Sequence, residues 1–81
     1  MNDQTMPVRV VYDEEADAAY IYLADPAGVA GVAETVPVDP LAVHGMINLD
    51  FDAEGRLVGV EVLAASRRLS RSLLKPRTVS D

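Results

Sequence analysis

The chain has 81 residues, no cysteine and a formal net charge of −6 at pH 7. This length predicts one small domain, because two hydrophobic cores would not fit within it. The lack of thiols excludes disulfides, thiolate metal sites and cysteine nucleophiles. No apolar run is long enough to cross a bilayer, and residues 1–7 lack the charged and then apolar pattern of a signal peptide. We therefore expect a cytoplasmic protein with no membrane partner.

The charge is distributed unevenly along the chain. Residues 1–64 contain twelve of the thirteen acidic side chains and two of the seven basic ones, which gives −10. Residues 65–81 contain the remaining five basic side chains and one acidic one, which gives +4, and the sum is −6. Phosphate binding needs a cationic surface, so the acidic body disfavours nucleic acid as a partner. A basic protein is the partner that this charge favours.

Residues 8–12 and 18–23 predict two short strands that form a first hairpin. The acidic residues between them are interpreted as a solubilising connection, namely Asp13, Glu14, Glu15 and Asp17. Tyr20 and Tyr22 alternate with small and aliphatic residues, so they share one face of the second strand. Tyrosine is common both in half-buried strands and at the centres of protein interfaces. The two side chains are therefore candidates for either the core or a contact surface.

The middle of the chain, residues 24–45, is rich in proline and glycine. Within it, residues 32–36 predict a strand, and the prolines beside them suit only an edge strand or a strand end. An exposed edge strand can pair with another chain. Val32 and Glu34 therefore join Tyr20 and Tyr22 in the predicted interaction surface. His44, the single histidine, lacks a nucleophile or a second ligand nearby and is interpreted as a loop residue or an interface contact.

Residues 47–63 carry the clearest structural signal, because apolar and polar residues alternate on both sides of a glycine-containing turn. This pattern is typical of a β-hairpin with one buried face. With Glu54 and Gly55 at the tip, the favoured register pairs apolar residues: Phe51 with Val58, Leu49 with Val60 and Ile47 with Val62. A type I turn that begins at Asp52, with a left-handed Gly55, would shift this pairing by one residue. That second register stays open.

The same hairpin contains the acidic spacing of a calcium-binding loop. Asp50, Asp52 and Glu54 occupy its first, third and fifth positions, and Gly55 and Glu61 occupy the sixth and twelfth. Hard cations bind clustered carboxylate oxygens. However, such loops join helices, whereas this segment alternates as strands. We therefore predict a solvated acidic tip with no cofactor, and a calcium or small-molecule site at Asp50, Asp52 and Glu54 is the alternative.

A change of composition at Ser66 predicts a helix at the C-terminal end of the domain. Ser66 is a suitable N-cap, the helix would cover residues 67–75, and Pro76 would end it. Leu69 and Leu73 are four residues apart, so they would share the face that docks onto the sheet. The two arginines that open this helix would lie at the unfavourable end of its dipole, so we expect an acidic group beside them.

Several motifs together resemble the small bacterial family catalogued as domain of unknown function 2283: Tyr12-Asp13, Glu15-Ala-Asp-Ala18, Tyr20-Ile-Tyr-Leu23, Leu49-Asp-Phe-Asp52, Gly55-Arg-Leu-Val-Gly-Val-Glu-Val-Leu63 and Ala65-Ser66. The resemblance implies a compact, strand-rich domain with a C-terminal helix. It implies no activity and no catalytic residues. It also carries a loose association with an acidic, antitoxin-like partner of a small basic protein.

From these observations we expect an α+β domain over residues 8–75, with flexible termini at residues 1–7 and 76–81. Its fold would be a mainly antiparallel sheet of about four to five strands with one short C-terminal helix. We expect a non-enzymatic interaction module that forms a homodimer and binds a basic protein. No catalytic constellation of side chains is evident in the sequence.

Overall fold

The computed structural model describes residues 8–24 and 31–74, and a five-stranded antiparallel sheet organises them. The strands are β1 (Arg9–Asp13), β2 (Ala18–Tyr22), β3 (Val32–Pro37), β4 (Ile47–Asp52) and β5 (Leu57–Leu63). Their order across the sheet is β1-β2-β5-β4-β3. β1 and β2 form the predicted first hairpin, and β3, β4 and β5 form a meander whose last strand pairs with β2. The predicted antiparallel sheet is therefore confirmed.

β3 lies at the edge of the sheet, as its flanking prolines predict. It pairs with β4 on one side, and Pro37 is its last residue. A register shift between Val32 and Glu34 marks a β-bulge. Proline and bulges are features that limit further pairing at sheet edges. β3 is thus an edge strand, but its proline and its bulge disfavour pairing with a further strand.

The β4–β5 hairpin follows the favoured register over most of its length, with Ile47 opposite Val62 and Leu49 opposite Val60. Near the turn the prediction is wrong, because Phe51 lies opposite Leu57 and not opposite Val58. Val58 is the additional residue of a β-bulge, since the pairing resumes with Asp50 opposite Gly59.

The turn of this hairpin is the one that the alternative register predicted. The carbonyl of Asp52 accepts the N–H of Gly55 at 3.0 Å, and Gly55 has a φ of 81°. This left-handed conformation suits glycine because glycine has no Cβ. The turn alone would shift the strands by one residue, and the bulge at Val58 restores the offset. The apolar pairing of the two strands and the turn favoured by Asp52 and Gly55 are therefore both present in the structure.

Three four-residue helices accompany the sheet within the described ranges: α1 (Pro40–Val43), α2 (Ala65–Arg68) and α3 (Arg71–Leu74). The prediction of one C-terminal helix over residues 67–75 is therefore wrong. Leu69 interrupts it with an extended backbone at φ −113° and ψ 152°. None of the described helices is long and apolar enough to cross a membrane. The predicted flexible termini, residues 1–7 and 76–81, lie outside the described residues.

The break at Leu69 has a packing reason. Leu69 and Leu74 both pack against the buried cluster of the sheet, whereas Leu73 is 48% exposed. In a continuous helix Leu69 would share its face with Leu73 instead. The extended backbone at Leu69 changes the direction of the chain before α3. Leu74, and not Leu73, therefore packs against the core.

Directly opposite residues of antiparallel strands project to the same face of the sheet, so the register defines two faces. The apolar face carries one row of Tyr12, Ala19, Val62 and Ile47, and a second row of Val10, Ile21, Val60, Leu49 and Val36. Helices α2 and α3 pack at one end of this face, where Ala65 is buried with Ala19 and Val62. The other face is polar.

Candidate functional site: the polar face of the sheet

The polar face brings together side chains from all five strands. One row contains Arg9, Tyr22, Gly59, Asp50 and Thr35, and the next contains Val11, Tyr20, Glu61, Asn48 and Pro37. The two tyrosines therefore lie beside two carboxylates that are distant in the sequence. The spacing predicted that Tyr20 and Tyr22 share a face, and the pairing of β2 with β5 supplies their acidic neighbours.

Tyr20 takes part in a hydrogen-bond network across three strands, in which Asp50 is the shared acceptor for Thr35 and Tyr20. Its hydroxyl donates to Asp50 Oδ2 at 2.6 Å, and the Thr35 hydroxyl donates to Asp50 Oδ1 at 2.6 Å. Burial is the main reason that the pKa of Tyr20 is raised well above 10.0, and the hydrogen bond and negative charge of Asp50 add to it. Asp50 thus ties the ring to the sheet.

Gly59 makes this arrangement possible. The ring of Tyr20 lies directly over Gly59, and a Cβ at that position would be 2.8 Å from Tyr20 Cε2 and closer still to its outer atoms. Real Cβ atoms do not approach other heavy atoms so closely. Glycine in a strand interior often marks such a close approach, and here it is a side chain that approaches.

Tyr22 links the network to the edge of the sheet. Its ring contacts that of Tyr20 edge-on, with centroids 4.9 Å apart and an interplanar angle of 70°. The Arg9 guanidinium lies 5.5 Å from the centroid of the Tyr22 ring, within the range of a cation–π contact. In the neighbouring row, Asn48 Nδ2 donates to Glu61 Oε1 at 2.9 Å. The ring of Tyr22 is therefore already placed against a cationic group.

The four residues predicted as an interaction surface do not form one patch. Tyr20 and Tyr22 are in contact on the polar face of β2. Val32 lies opposite Asp52 on the same face, but on β3, with β5 and β4 in between. Glu34 lies opposite Phe51 and so projects to the apolar side of the sheet. The tyrosine pair and the edge strand are separate features of the surface.

The predicted metal ligands are engaged in two different sets of contacts. Asp50 accepts from the hydroxyls of Tyr20 and Thr35. Asp52 Oδ1 accepts the N–H groups of Glu54 and Arg56, both at 2.9 Å, and its Oδ2 accepts from Arg56 Nε at 3.1 Å. Glu54 forms an ion pair with Arg56. Within residues 8–24 and 31–74, no three acidic, histidine or cysteine side chains are grouped as a metal site would require. Calcium binding stays a prediction that calorimetric titration can test.

The turn contacts also set the acidity of Asp52. Its pKa is lowered, chiefly because it accepts the backbone N–H of Arg56, with the N–H of Glu54 and the Arg56 side chain adding to the effect. Desolvation opposes this shift. The Asp52 carboxylate therefore stabilises the hairpin turn.

Asp17, interpreted from sequence as part of a solubilising connection, instead caps α2 from another part of the chain. Its Oδ1 accepts the Ser66 N–H at 2.9 Å, and its Oδ2 accepts the Ser66 hydroxyl at 2.7 Å. Its backbone carbonyl accepts the Ala65 N–H at 2.9 Å. The residue before α2 is Ala64, which provides no side-chain cap. The prediction of Ser66 as N-cap is therefore wrong, and the acidic group expected beside the helix start is Asp17.

A third donor completes this contact. The Tyr12 hydroxyl donates to Asp17 Oδ1 at 2.7 Å, and this bond is the main reason that the pKa of Tyr12 is raised. The pKa of Asp17 is lowered, first by the Ser66 hydroxyl, then by Tyr12 and by the Ser66 N–H. The sequence signal for this site was available, because Tyr12, Asp17 and Ser66 all fall within the motifs of the family resemblance. Propensity reasoning missed it because the partners are 49 residues apart.

The comparisons with known proteins identify the family. A family model described as a protein of unknown function (DUF2283) matches residues 9–66, which is more than half of the chain. The chain belongs to this family. The matched span begins with β1 and ends at Ser66, so it includes both the polar face and the Asp17 cap. Neither the search of curated proteins nor the search of solved structures gave a match.

Proposed function

We propose that this chain is a non-enzymatic interaction module that self-associates and binds a basic protein through the polar face of its sheet. The observation that carries the proposal is the composition of that face. Two contacting tyrosines lie beside Asp50 and Glu61, with Arg9 at the edge. Tyrosines with nearby carboxylates provide both contact area and charge for a cationic partner.

The geometry of the polar face supports binding over chemistry. Its strongest interactions are already formed between its own side chains, with Asp50 accepting from Tyr20 and Thr35 and Glu61 accepting from Asn48. Such mutual hydrogen bonds fix the rotamers of the face before a partner arrives. Pre-organisation lowers the entropy that a complex loses when it forms. A pre-organised face suits a protein partner.

The small core supports self-association. The buried apolar residues among those described are Ala19, Val58, Val62 and Ala65, and none of the described large side chains is fully buried. A domain of this size buries only roughly 60% of the surface of its unfolded chain and is correspondingly marginal. Binding to a second copy stabilises such a domain by mass action.

The partner-binding half is tested with two variants of equal net charge. Asp50→Asn with Glu61→Gln removes two charges from the polar face and keeps one carbonyl acceptor at each position. Glu14→Gln with Glu15→Gln removes two charges from the exposed β1–β2 turn. We expect the wild type and the turn variant to retain the same basic protein in a pull-down with mass spectrometry, and the face variant to lose it. Calorimetry with that purified protein should show at least a tenfold weaker affinity for the face variant.

Light scattering and sedimentation over a wide concentration range test self-association. We expect a reversible increase in mass with concentration. The proposal is wrong if the protein stays a monomer throughout and no basic protein distinguishes the face variant from the turn variant. Rising salt should weaken the complex with the basic partner, because that contact is between opposite charges.

A further inference from the structure

A single strained residue joins the sheet to the helices that cover it. β5 ends at Leu63 and α2 begins at Ala65, so Ala64 alone makes the connection. Ala64 has φ 53° and ψ 44°, which is the left-handed conformation. That conformation brings Cβ too close to the following carbonyl oxygen in any residue other than glycine. The strain of the C-terminal region is therefore concentrated at one hinge.

The segment beyond this hinge, residues 65–74, is here named the C-terminal strap. It consists of α2 and α3, which have four residues each and are too short to be stable alone. The strap must therefore dock on a sheet. Its docking contacts are with the first hairpin and β5: Ala65 is buried against Ala19 and Val62, Leu69 and Leu74 pack against the same cluster, and Asp17 caps α2.

We infer that two copies of this chain exchange their C-terminal straps, an inference that rests on the self-association proposed above. In the exchanged dimer, Ala64 is extended, and each strap docks on the Asp17 and Ala19 of the other copy. Every interaction of the strap with its own sheet is reproduced with the sheet of the other copy. A short, strained hinge favours this form of dimer, because opening the hinge relieves the strain.

The hinge strain sets the expected size of the effect. The left-handed conformation of one alanine changes the equilibrium constant between the closed and the open hinge roughly five- to thirtyfold in favour of opening. Two hinges open in each dimer, so the two factors multiply.

The occupant of each docking site is defined by its chemistry. Asp17 receives the N–H and hydroxyl of Ser66 together with the N–H of Ala65, and Ala65 is 0% exposed beside Ala19 at 1%. A second copy of the strap matches each of these contacts.

Disulfide formation between two copies tests the exchange directly. The chain has no native cysteine, so no other thiol competes for the two that are introduced. One chain carries Ala19→Cys and a second chain carries Ala65→Cys. The two are unfolded together in urea, refolded at high concentration and oxidised. Exchange places the two thiols in one buried cluster, so we expect a covalent heterodimer of the two different chains. Without exchange, each thiol stays buried within its own copy and no heterodimer forms.

Hinge variants provide a second measurement by light scattering. Ala64→Gly removes the strain and should lower the dimer association constant at least tenfold, whereas the β-branched Ala64→Val should raise it. The matched control is His44→Gly, because His44 is also left-handed, with φ 56°, but lies at the end of α1. This control should leave the association constant unchanged.

The possible results separate the two proposals. A dimer that forms equally well in Ala64→Gly and yields no heterodimeric disulfide overturns strap exchange but leaves self-association standing. A strict monomer for both the wild type and Ala64→Val, again without the cross-copy disulfide, overturns both. A heterodimeric disulfide together with weaker association of Ala64→Gly establishes the exchange.

Discussion

Gly59→Ala provides the sharpest test of how the polar face is built. The added Cβ would lie 2.8 Å from Cε2 of Tyr20 and closer to its outer atoms, so the ring must move away. The movement breaks the 2.6 Å hydrogen bond from the Tyr20 hydroxyl to Asp50. It also disrupts the edge-on contact with Tyr22. The sheet backbone itself needs no change, because Gly59 has an ordinary strand conformation.

The magnitude follows from the two interactions that the displaced ring would no longer make. A hydrogen bond to a charged group contributes about 1.5–3 kcal/mol, and an edge-on aromatic pair contributes about 0.5–1.5 kcal/mol. Replacing glycine by alanine within a strand raises the free energy of unfolding by roughly 0.5–1 kcal/mol, because alanine loses less backbone entropy on folding. The Tyr20 ring is only half-buried, so the lower ends of these ranges apply. We expect the free energy of unfolding to fall by about 1–1.5 kcal/mol, which lowers Tm by roughly 4–8 °C per kcal/mol.

A double-mutant cycle with Tyr20→Ala separates the ring contact from backbone effects. Urea denaturation followed by circular dichroism measures the wild type, Gly59→Ala, Tyr20→Ala and the double variant. In the Tyr20→Ala background, Gly59→Ala should be neutral or stabilising by up to about 1 kcal/mol. If Gly59→Ala destabilises both backgrounds equally, the glycine is needed for another reason and the proposed ring packing is refuted.

Three further perturbations address the C-terminal docking. The folded pKa of Asp17 is below its unfolded value of 3.8, so its stabilisation is present above that value and lost as the pH falls through the folded pKa. Asp17→Asn should therefore flatten the fall in unfolding free energy between about pH 5 and pH 2, and identical acid slopes in urea titrations would contradict the cap. Ala64→Gly should raise the free energy of unfolding by about 0.5–1 kcal/mol, measured at concentrations where the protein is monomeric. Leu69→Ala should lower it by about 1–2 kcal/mol and Leu73→Ala by less than about 0.5 kcal/mol, and the reverse order in denaturation midpoints would restore a continuous helix.

The sequence predicts those parts of the fold that depend on short-range pattern. Strand alternation located β2, β4 and β5, and proline placement put β3 at the edge. The hairpin register is instructive because two local signals disagreed. The apolar pairing of Leu49 with Val60 and the turn chemistry of Asp52 and Gly55 were both correct, and a bulge at Val58 reconciles them. The two signals exclude each other only in a regular ladder, and a bulge adds the residue that makes them compatible.

The C-terminal region could not be predicted because its structure depends on distant partners. Ser66 has the composition of an N-cap, but Asp17 recruits both its N–H and its hydroxyl. Once Asp17 caps α2, the helix starts at Ala65, before the predicted position. The interruption at Leu69 then lets Leu74 reach the core. No local propensity encodes these steps, since each depends on how β1 and β2 are placed relative to β5.

The two polar networks of this domain carry part of what a larger apolar core would otherwise provide. Asp50 joins β2 to β4 and β3 across separations of 30 and 15 residues, and Asp17 joins the first hairpin to α2 across 49 residues. Each carboxylate accepts hydrogen bonds from donors on other elements, so each holds together segments that share few buried side chains. The same chemistry makes the domain sensitive at both ends of the pH scale. Acid removes the acceptor at Asp17, whose folded pKa is lowered, whereas alkali removes the donor at Tyr20, whose folded pKa is raised. A domain held by such networks should be most stable on a plateau between these limits, because there the Asp17 carboxylate is charged and the hydroxyls of Tyr12 and Tyr20 keep their protons.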